Sequence, residues 1–416
     1  MNPTLRRALE IAGFVLIVAA IGFAIYYVFF RPQAPIPGTN VGGGITNGLP
    51  TPANGNVNRT LPTQNINQLP VVNTGTRTPA TVANGGSTLS PTMADNNVGS
   101  MTLNLNANSL QFYDRGSGQF YSLATDGSSK TLLTNDTYPN ASAIVWAPNG
   151  NQALLSFPDN SKILYDFGTK KQTTLPKELS DFSWSPTSDY VASKFLDTTN
   201  SENQWLIVTR PDGSQSQTAE HLGANADRVR TAWSPNNQII ATYEKATNAD
   251  QSEIIFLGAN GENYPSVTVP GRGYVPNWSP DGRRVLYSIY NEVNQNNPHL
   301  YIMNGQPDTL GNTNIDLGLN TRADKCTFDA SGQTVYCAVP YYLNPGSGPQ
   351  PELSSGIPDN IYRIDLRSGT AALIARPVDA QGAQRFSAAN LQLSPAGDVL
   401  FFTDATTGTV QKVQLR

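Results

Sequence analysis

From about residue 101 to the C-terminus, short apolar stretches alternate with polar turns rich in Gly, Pro, Asn and Asp, and no helical period of useful length appears. Stretches such as Val285-Leu286-Tyr287-Ser288-Ile289-Tyr290, Val399-Leu400-Phe401-Phe402 and His299-Leu300-Tyr301-Ile302-Met303 predict strands. The N-terminal end reads differently. Ile11 to Phe30 is an uncharged run of 20 residues, roughly 30 Å long as a helix and so matched to a bilayer's hydrocarbon core. Between the two, residues 31–100 are poor in aromatics and rich in Pro, Thr, Asn and Gly. Such a stretch buries too little apolar surface to offset its ordering entropy, and a disordered tether is expected there.

A short motif recurs through the C-terminal part. It reads Val145-Trp146-Ala147-Pro148-Asn149-Gly150, Ser183-Trp184-Ser185-Pro186, Ala232-Trp233-Ser234-Pro235-Asn236-Asn237 and Asn277-Trp278-Ser279-Pro280-Asp281-Gly282. Degenerate copies stand at Thr327-Phe328-Asp329-Ala330-Ser331-Gly332 and Gln392-Leu393-Ser394-Pro395-Ala396-Gly397, and a weaker one begins at Leu103, giving seven. Each turn joins two strands, and a third and a fourth follow, so every unit predicts a four-stranded antiparallel meander. Units unable to bury their own faces pack radially, and the fold expected is an all-β propeller. Seven blades are favoured; six or eight stay open if the Leu103 copy or the long 328–393 interval is misread. The final unit ends after its third strand, so a segment just before Leu103 is expected to supply its outer strand.

The unit "WSPDGRRVLYSIY" resembles the WD40-like repeat of bacterial envelope propellers of the TolB type. The resemblance covers about 300 residues and implies the propeller fold; for function it implies only a choice among partner-binding platforms, carbohydrate-associated modules and domains attached to peptidases. The TolB type is soluble and periplasmic with a separate N-terminal domain, whereas this chain has an apolar run and a tether there. The domain reading is therefore a cytoplasmic tail at 1–10, a transmembrane helix at 11–30, a tether at 31–100 and a propeller at 101–416. Arg6 and Arg7 before the apolar run favour an N-terminus inside the cytoplasmic membrane and a propeller in the periplasm or extracellular space. A cleaved signal peptide is the alternative.

Composition narrows the function classes. Charged residues are 14% of the chain and the net charge is −4 without blocks, which excludes the basic field that nucleic-acid binding needs. No nucleophile elbow or phosphate loop is present, so no catalytic residues, no metal and no cofactor are expected. The only cysteines, Cys326 and Cys337, flank the turn at Ser331-Gly332 symmetrically and would face each other across a hairpin. A disulfide there fits an oxidising compartment; two buried thiols are the other reading. Trp146, Trp184, Trp233 and Trp278 read as core packing, and the Asp and Asn residues of the motif as turn formers. Asn58, Asn135 and Asn140 begin glycosylation sequons that matter only on a eukaryotic secretory route.

The long loops belong to the second-to-third and fourth-to-first connections, which share one face of a propeller. Connections into the innermost strands carry Arg228, Arg230, Arg272, Arg322 with Lys325, and Arg385. Converging there, these side chains would suit carboxylates or phosphates; pairing with neighbours such as Asp227 or Asp324 is the plainer reading. Tyr274, Tyr341, Tyr342 and Phe386 are candidate apolar anchors on the same rim. The function expected is an anchored binding or scaffolding module for an envelope protein or polymer. The alternatives are a subunit of a secretion or surface-appendage complex and a glycan-binding or sugar-processing propeller.

Overall fold

The structure, a computed structural model, describes residues 78–104 and 108–416, all within one unit of the chain. These residues form seven β-sheets arranged as blades. The first two strands, β1 (Ser87–Leu89) and β2 (Thr92–Ala94), join blades completed at the far end of the chain. Blade 1 is β3 (Val98–Asn104), β4 (Ser109–Asp114), β5 (Gln119–Ala124) and β6 (Lys130–Leu132). Blade 2 is β7 (Ala143–Trp146), β8 (Gln152–Ser156), β9 (Lys162–Asp166) and β10 (Lys171–Leu175), and blade 3 is β11 (Leu179–Trp184), β12 (Val191–Leu196), β13 (Gln204–Thr209) and β14 (Gln217–His221). Blade 4 is β15 (Val229–Thr231), β16 (Ile239–Asn248), β17 (Gln251–Gly258) and β18 (Val267–Val269), and blade 5 is β19 (Arg272–Trp278), β20 (Arg284–Tyr290), β21 (His299–Asn304) and β22 (Asn314–Asp316). Blade 6 is β23 (Cys326–Phe328), β24 (Thr334–Pro340), β25 (Asp359–Asp365) and β26 (Thr370–Val378), with β1 added in parallel outside β26. Blade 7 is β27 (Ala388–Leu393), β28 (Val399–Asp404) and β29 (Val410–Gln414), closed by β2 antiparallel to β29.

The expected closure by an upstream segment is therefore present, and β27 of blade 7 lies against β3 of blade 1 to complete the ring. Strands β1 and β2 and the start of β3 fall within 87–100, so strand pairing begins upstream of the boundary placed at 101. No helix among the described residues is long and apolar enough to cross a membrane. The run Ile11 to Phe30, and the tether as far as residue 77, lie outside the described residues.

The second strand of each blade is apolar on both faces because it is buried on both. In β20, Val285 and Tyr287 pack into the core shared with blade 4, while Leu286 packs into the core shared with blade 6. In β28, Leu400 and Phe402 face blade 6 and Phe401 faces blade 1. Each such side chain contributes roughly 1.5–3 kcal/mol through burial.

The motif acts at the first turn of blades 2 to 7. Ser279 Oγ receives the Arg284 amide at 2.9 Å and donates to Asp281 Oδ1 at 2.7 Å, so one buried hydroxyl closes the hairpin. Ser234 and Ser394 do the same with Ile239 and Val399. In blade 6 Asp329 replaces the serine and accepts the Gln333 and Thr334 amides. The tryptophans tie blade to blade: Trp184 Nε1 donates to Val145 O at 3.1 Å, and Trp278 Nε1 to Ala232 O at 3.2 Å, each one residue before the preceding blade's tryptophan. Cys326 and Cys337 are direct partners in the β23–β24 ladder, 4.1 Å apart at Cα, and form a disulfide.

Candidate functional site: the loop-rich rim

In an antiparallel blade whose first strand is innermost, the connections from second to third strand and from one blade to the next share one face. Side chains confirm the juxtaposition. Glu244, where β16 leaves blade 4, accepts the amides of Gly273 and Tyr274 at the start of blade 5, at 2.8 and 3.0 Å, and the Ser252 hydroxyl at 2.9 Å. Lys194 of β12 donates to the carbonyls of Ala226 and Val229 at 3.1 and 2.9 Å and lies 3.3 Å from Asp181. Asp181 sits in a bulge of β11 with a positive φ of 54°, and its carboxylate also accepts the Thr231 amide at 3.0 Å. The bulge turns a polar side chain toward the next blade where an unbroken strand would not.

These groups wall a cavity of about 250 Å³ that Arg228 and Arg230 also line, with Asp227 beside them. Arg228 ends the 3-10 turn Gly223–Arg228, and Arg230 lies in β15; both side chains are exposed. Neither guanidinium has a hydrogen-bond or ion-pair partner among the described residues. Of the other charged walls, Lys194, Asp181 and Glu244 are held by internal donors and acceptors, while Asp227 has no such partner among the described residues, and the buried Tyr274 hydroxyl is also unpaired. An entering anion would therefore meet two arginines free to change partner, a fork geometry suited to carboxylate or phosphate.

The remaining candidates divide. Arg272 opens β19, exposed and likewise without a partner. Arg322 is engaged with Asp324, Nη2 at 2.8 Å and Nε at 3.0 Å. Lys325 is bound to both carboxylate oxygens of fully buried Asp359 at 2.7 Å. Arg385 lies 3.1 Å from Asp379. Tyr341 and Tyr342 are exposed, but Tyr274 and Phe386 are 3% and 5% exposed and belong to inter-blade cores. Those two rings are thus packing residues rather than surface anchors. A second cavity of about 380 Å³ lies against the inner strands of blades 5 to 7 and includes Asn277, Thr327, Asn390 and Gln392, but none of the arginines.

Lys194, Asp181 and Glu244 were not picked out from sequence. Lys194 in "VASKFL" and Glu244 in "IIATYEK" are charged residues within second strands that open apolar, the signal available for them. Among the described residues no group of three or more His, Cys, Asp or Glu is arranged to hold a metal ion.

No protein-family model and no curated protein matches the sequence. Solved structures do. The β-propeller domain of Cps50 (Swd1) from Myceliophteria thermophila is 13% identical with a TM-score of 0.53, covering 79% of this chain and 100% of that one. Hydrazine synthase of Kuenenia stuttgartiensis is 12% identical with a TM-score of 0.51, covering 76% and 95%. An oligogalacturonate lyase in complex with manganese, 12% identical, gives a TM-score of 0.49 over 78% and 90%. Identities this low speak for the fold alone; the seven sheets, with the first two of these structures, make this chain a seven-bladed β-propeller.

Proposed function

We propose that this chain is a membrane-anchored, extracytoplasmic propeller of the WD40-like, TolB-type kind that binds a protein partner through its loop-rich face and performs no catalysis of its own. The observation that carries the reading is the pair Arg228 and Arg230, without internal partners at a cavity where Lys194, Asp181 and Glu244 are internally bonded and Asp227 is the one unpaired carboxylate among the described residues. A guanidinium without an internal partner is an efficient anchor for a carboxylate-bearing partner. The disulfide between the only two cysteines supports an oxidising compartment. The uncharged run Ile11 to Phe30 supports the anchor.

The test is crosslinking and affinity capture of the tagged full-length chain from its native membranes, beside a variant with Arg228, Arg230 and Arg272 changed to Ala. A reproducible partner that the variant loses is the expected outcome. Equal recovery by both forms would remove the arginines from the interface, and recovery of nothing specific by either would turn attention to glycans and the amide-rich 380 Å³ cavity.

A further inference from the structure

Two long connections and one extended hairpin on the rim are built into one ledge. The β16–β17 hairpin reaches out to Asp250, whose Oδ1 accepts the Glu292 amide at 3.3 Å. Glu292 begins a 3-10 turn capped by Asn291, and the connection continues through Gln295 and Asn296, both at positive φ. Their carbonyls receive the amides of Gly346 and Gly348 from the blade 6 connection, at 2.9 and 2.8 Å, and Asn297 receives the Ser347 amide at 3.3 Å. The contact is close enough that a Cβ on Gly348 would stand 2.6 Å from Asn296 O, so glycine is required there. Asn291, Asn297 and Ser347 are buried, with 8, 4 and 1% exposed. Buried and internally bonded polar groups under long loops hold those loops in place before anything binds.

On this ledge stand Val293, Tyr341, Tyr342 and Leu353, four of the seven exposed large hydrophobic side chains among the described residues, with Val293 78% exposed. The free arginines adjoin it. Arg272 is directly opposite Tyr290 in the β19–β20 ladder, three residues before Val293, and its neighbour Gly273 is bonded to Glu244 on the wall of the Arg228 and Arg230 cavity. The unpaired charges at the cavity are Arg228 and Arg230 against Asp227, Arg272 follows, and the apolar ledge beyond has the acidic residues Asp250, Glu292 and Glu352 near it.

We infer that the rim takes an extended acidic segment of a protein, its carboxylates on Arg228, Arg230 and Arg272 and its following apolar side chains on Val293, Tyr342 and Leu353. The acidic residues of the ledge repel further carboxylates and so fix the direction in which the segment lies. A segment of about twelve residues, at roughly 3.4 Å each, extends about 40 Å. This rests on the platform reading above and specifies its occupant.

Fluorescence anisotropy with the full-length chain tests it. The probe is a labelled peptide of about twelve residues, alternating Asp and Glu in its first half and Leu, Phe and Thr in its second. The controls are the same peptide with Asn and Gln in place of the acids and the reversed-order peptide. The acidic probe should bind at least about tenfold more tightly than either control. Arg228→Ala with Arg230→Ala, and separately Val293→Ser with Tyr342→Ser and Leu353→Ser, should each weaken it about tenfold; all five side chains are surface-exposed, so the melting temperature should not move. Equal affinity for the amide peptide, or no loss in the ledge variant, would overturn the inference. Should membrane capture yield a partner dependent on the arginines while the acidic peptide fails to bind, the occupant is wrong and the platform stands; should both fail, the platform falls with it.

Discussion

At the scale of single residues, the charged groups that matter are those with nowhere else to go. His299 is 8% exposed, with Nδ1 2.6 Å from Asn320 Oδ1 and Nε2 2.6 Å from Asp316 Oδ1, so both ring nitrogens face acceptors. Burial works to lower its pKa, but the hydrogen bond and charge of Asp316, then Asn320, outweigh it and raise it above the ordinary 6.5. Burial likewise works to raise Asp316, and the His299 bond and charge with the Gly318 amide hold it below 3.8. The imidazolium's contribution is thus complete below about pH 6.5 and fades as pH rises through its raised value, and that of Asp316 is present above about pH 4 and fades as pH falls through its lowered one. Denaturant unfolding of wild type and His299→Gln should differ most near pH 5.5 and converge by pH 9; a constant difference would mean the ring stays neutral. Lys325 and Asp359 make the harder pair. Lys325→Met leaves a buried carboxylate facing the Ala388 amide alone, at 2.7 Å, and should cost about 3 kcal/mol in denaturant unfolding. Changing both residues to apolar ones of similar size should cost less than that single change. Sequence placed Lys325 among the rim arginines because position along a connection is legible; that its ammonium turns inward to a strand of its own blade is not, since nothing local to Lys325 specifies Asp359, 34 residues on.

At the scale of elements, the first hairpin of each blade was the most legible feature, because its chemistry is local. A serine before Pro closes the turn within six residues, with its hydroxyl on an Asp or Asn two residues later at Ser234 and Ser279 and on Asp398 at Ser394. Ser279→Ala leaves the Arg284 amide without its 2.9 Å acceptor hydroxyl and should cost about 1–2 kcal/mol. Asp329→Ser, which installs the commoner residue in blade 6, should stay within about 0.5 kcal/mol; an equal loss at both sites would mean that Asp329 has a role the serine cannot fill. The disulfide was legible for a similar reason, since two cysteines equidistant from a turn must oppose each other in an antiparallel ladder. Because it closes a short loop already paired by backbone, Cys326→Ala with Cys337→Ala should lower stability by roughly 2 kcal/mol, at the low end for disulfides. Lys194, Asp181 and Glu244 escaped because their partners are in adjacent blades and the Asp181 bulge has no local signature.

At the scale of the whole molecule, the ring is a chain problem: blade 7 is completed by residues from the other end of the sequence. That a segment ahead of Leu103 closes it followed from counting strands, but the second use of that segment did not. Residues 80–90 also bridge blades 6 and 7, with Ala83 donating to Gln414 O at 2.8 Å, Gly85 to Ile374 O at 2.7 Å and β1 lying along β26. Strands of three residues carry no periodicity, and their composition matches the tether's, so pairing here is imposed by the blade edges they meet. The strap includes Thr88, Ser90 and Ala94, all buried, and Ser90 Oγ donates to Lys412 O at 2.9 Å. Replacing 87–94 by a Gly and Ser segment of equal length removes these anchors while leaving the inner contact of β27 with β3. A loss of roughly 3–5 kcal/mol is expected, or a fall of about 5–15 °C in melting temperature. Hydrogen exchange should rise first in β28 and β29 and not in blades 3 to 5, since the strap touches blades 6 and 7 and, through Met93 and Ala94, blade 1. If melting is unchanged and exchange rises nowhere, the inner strands alone hold the ring. Rapid exchange through all seven blades would instead make the strap the element on which every inter-blade core depends.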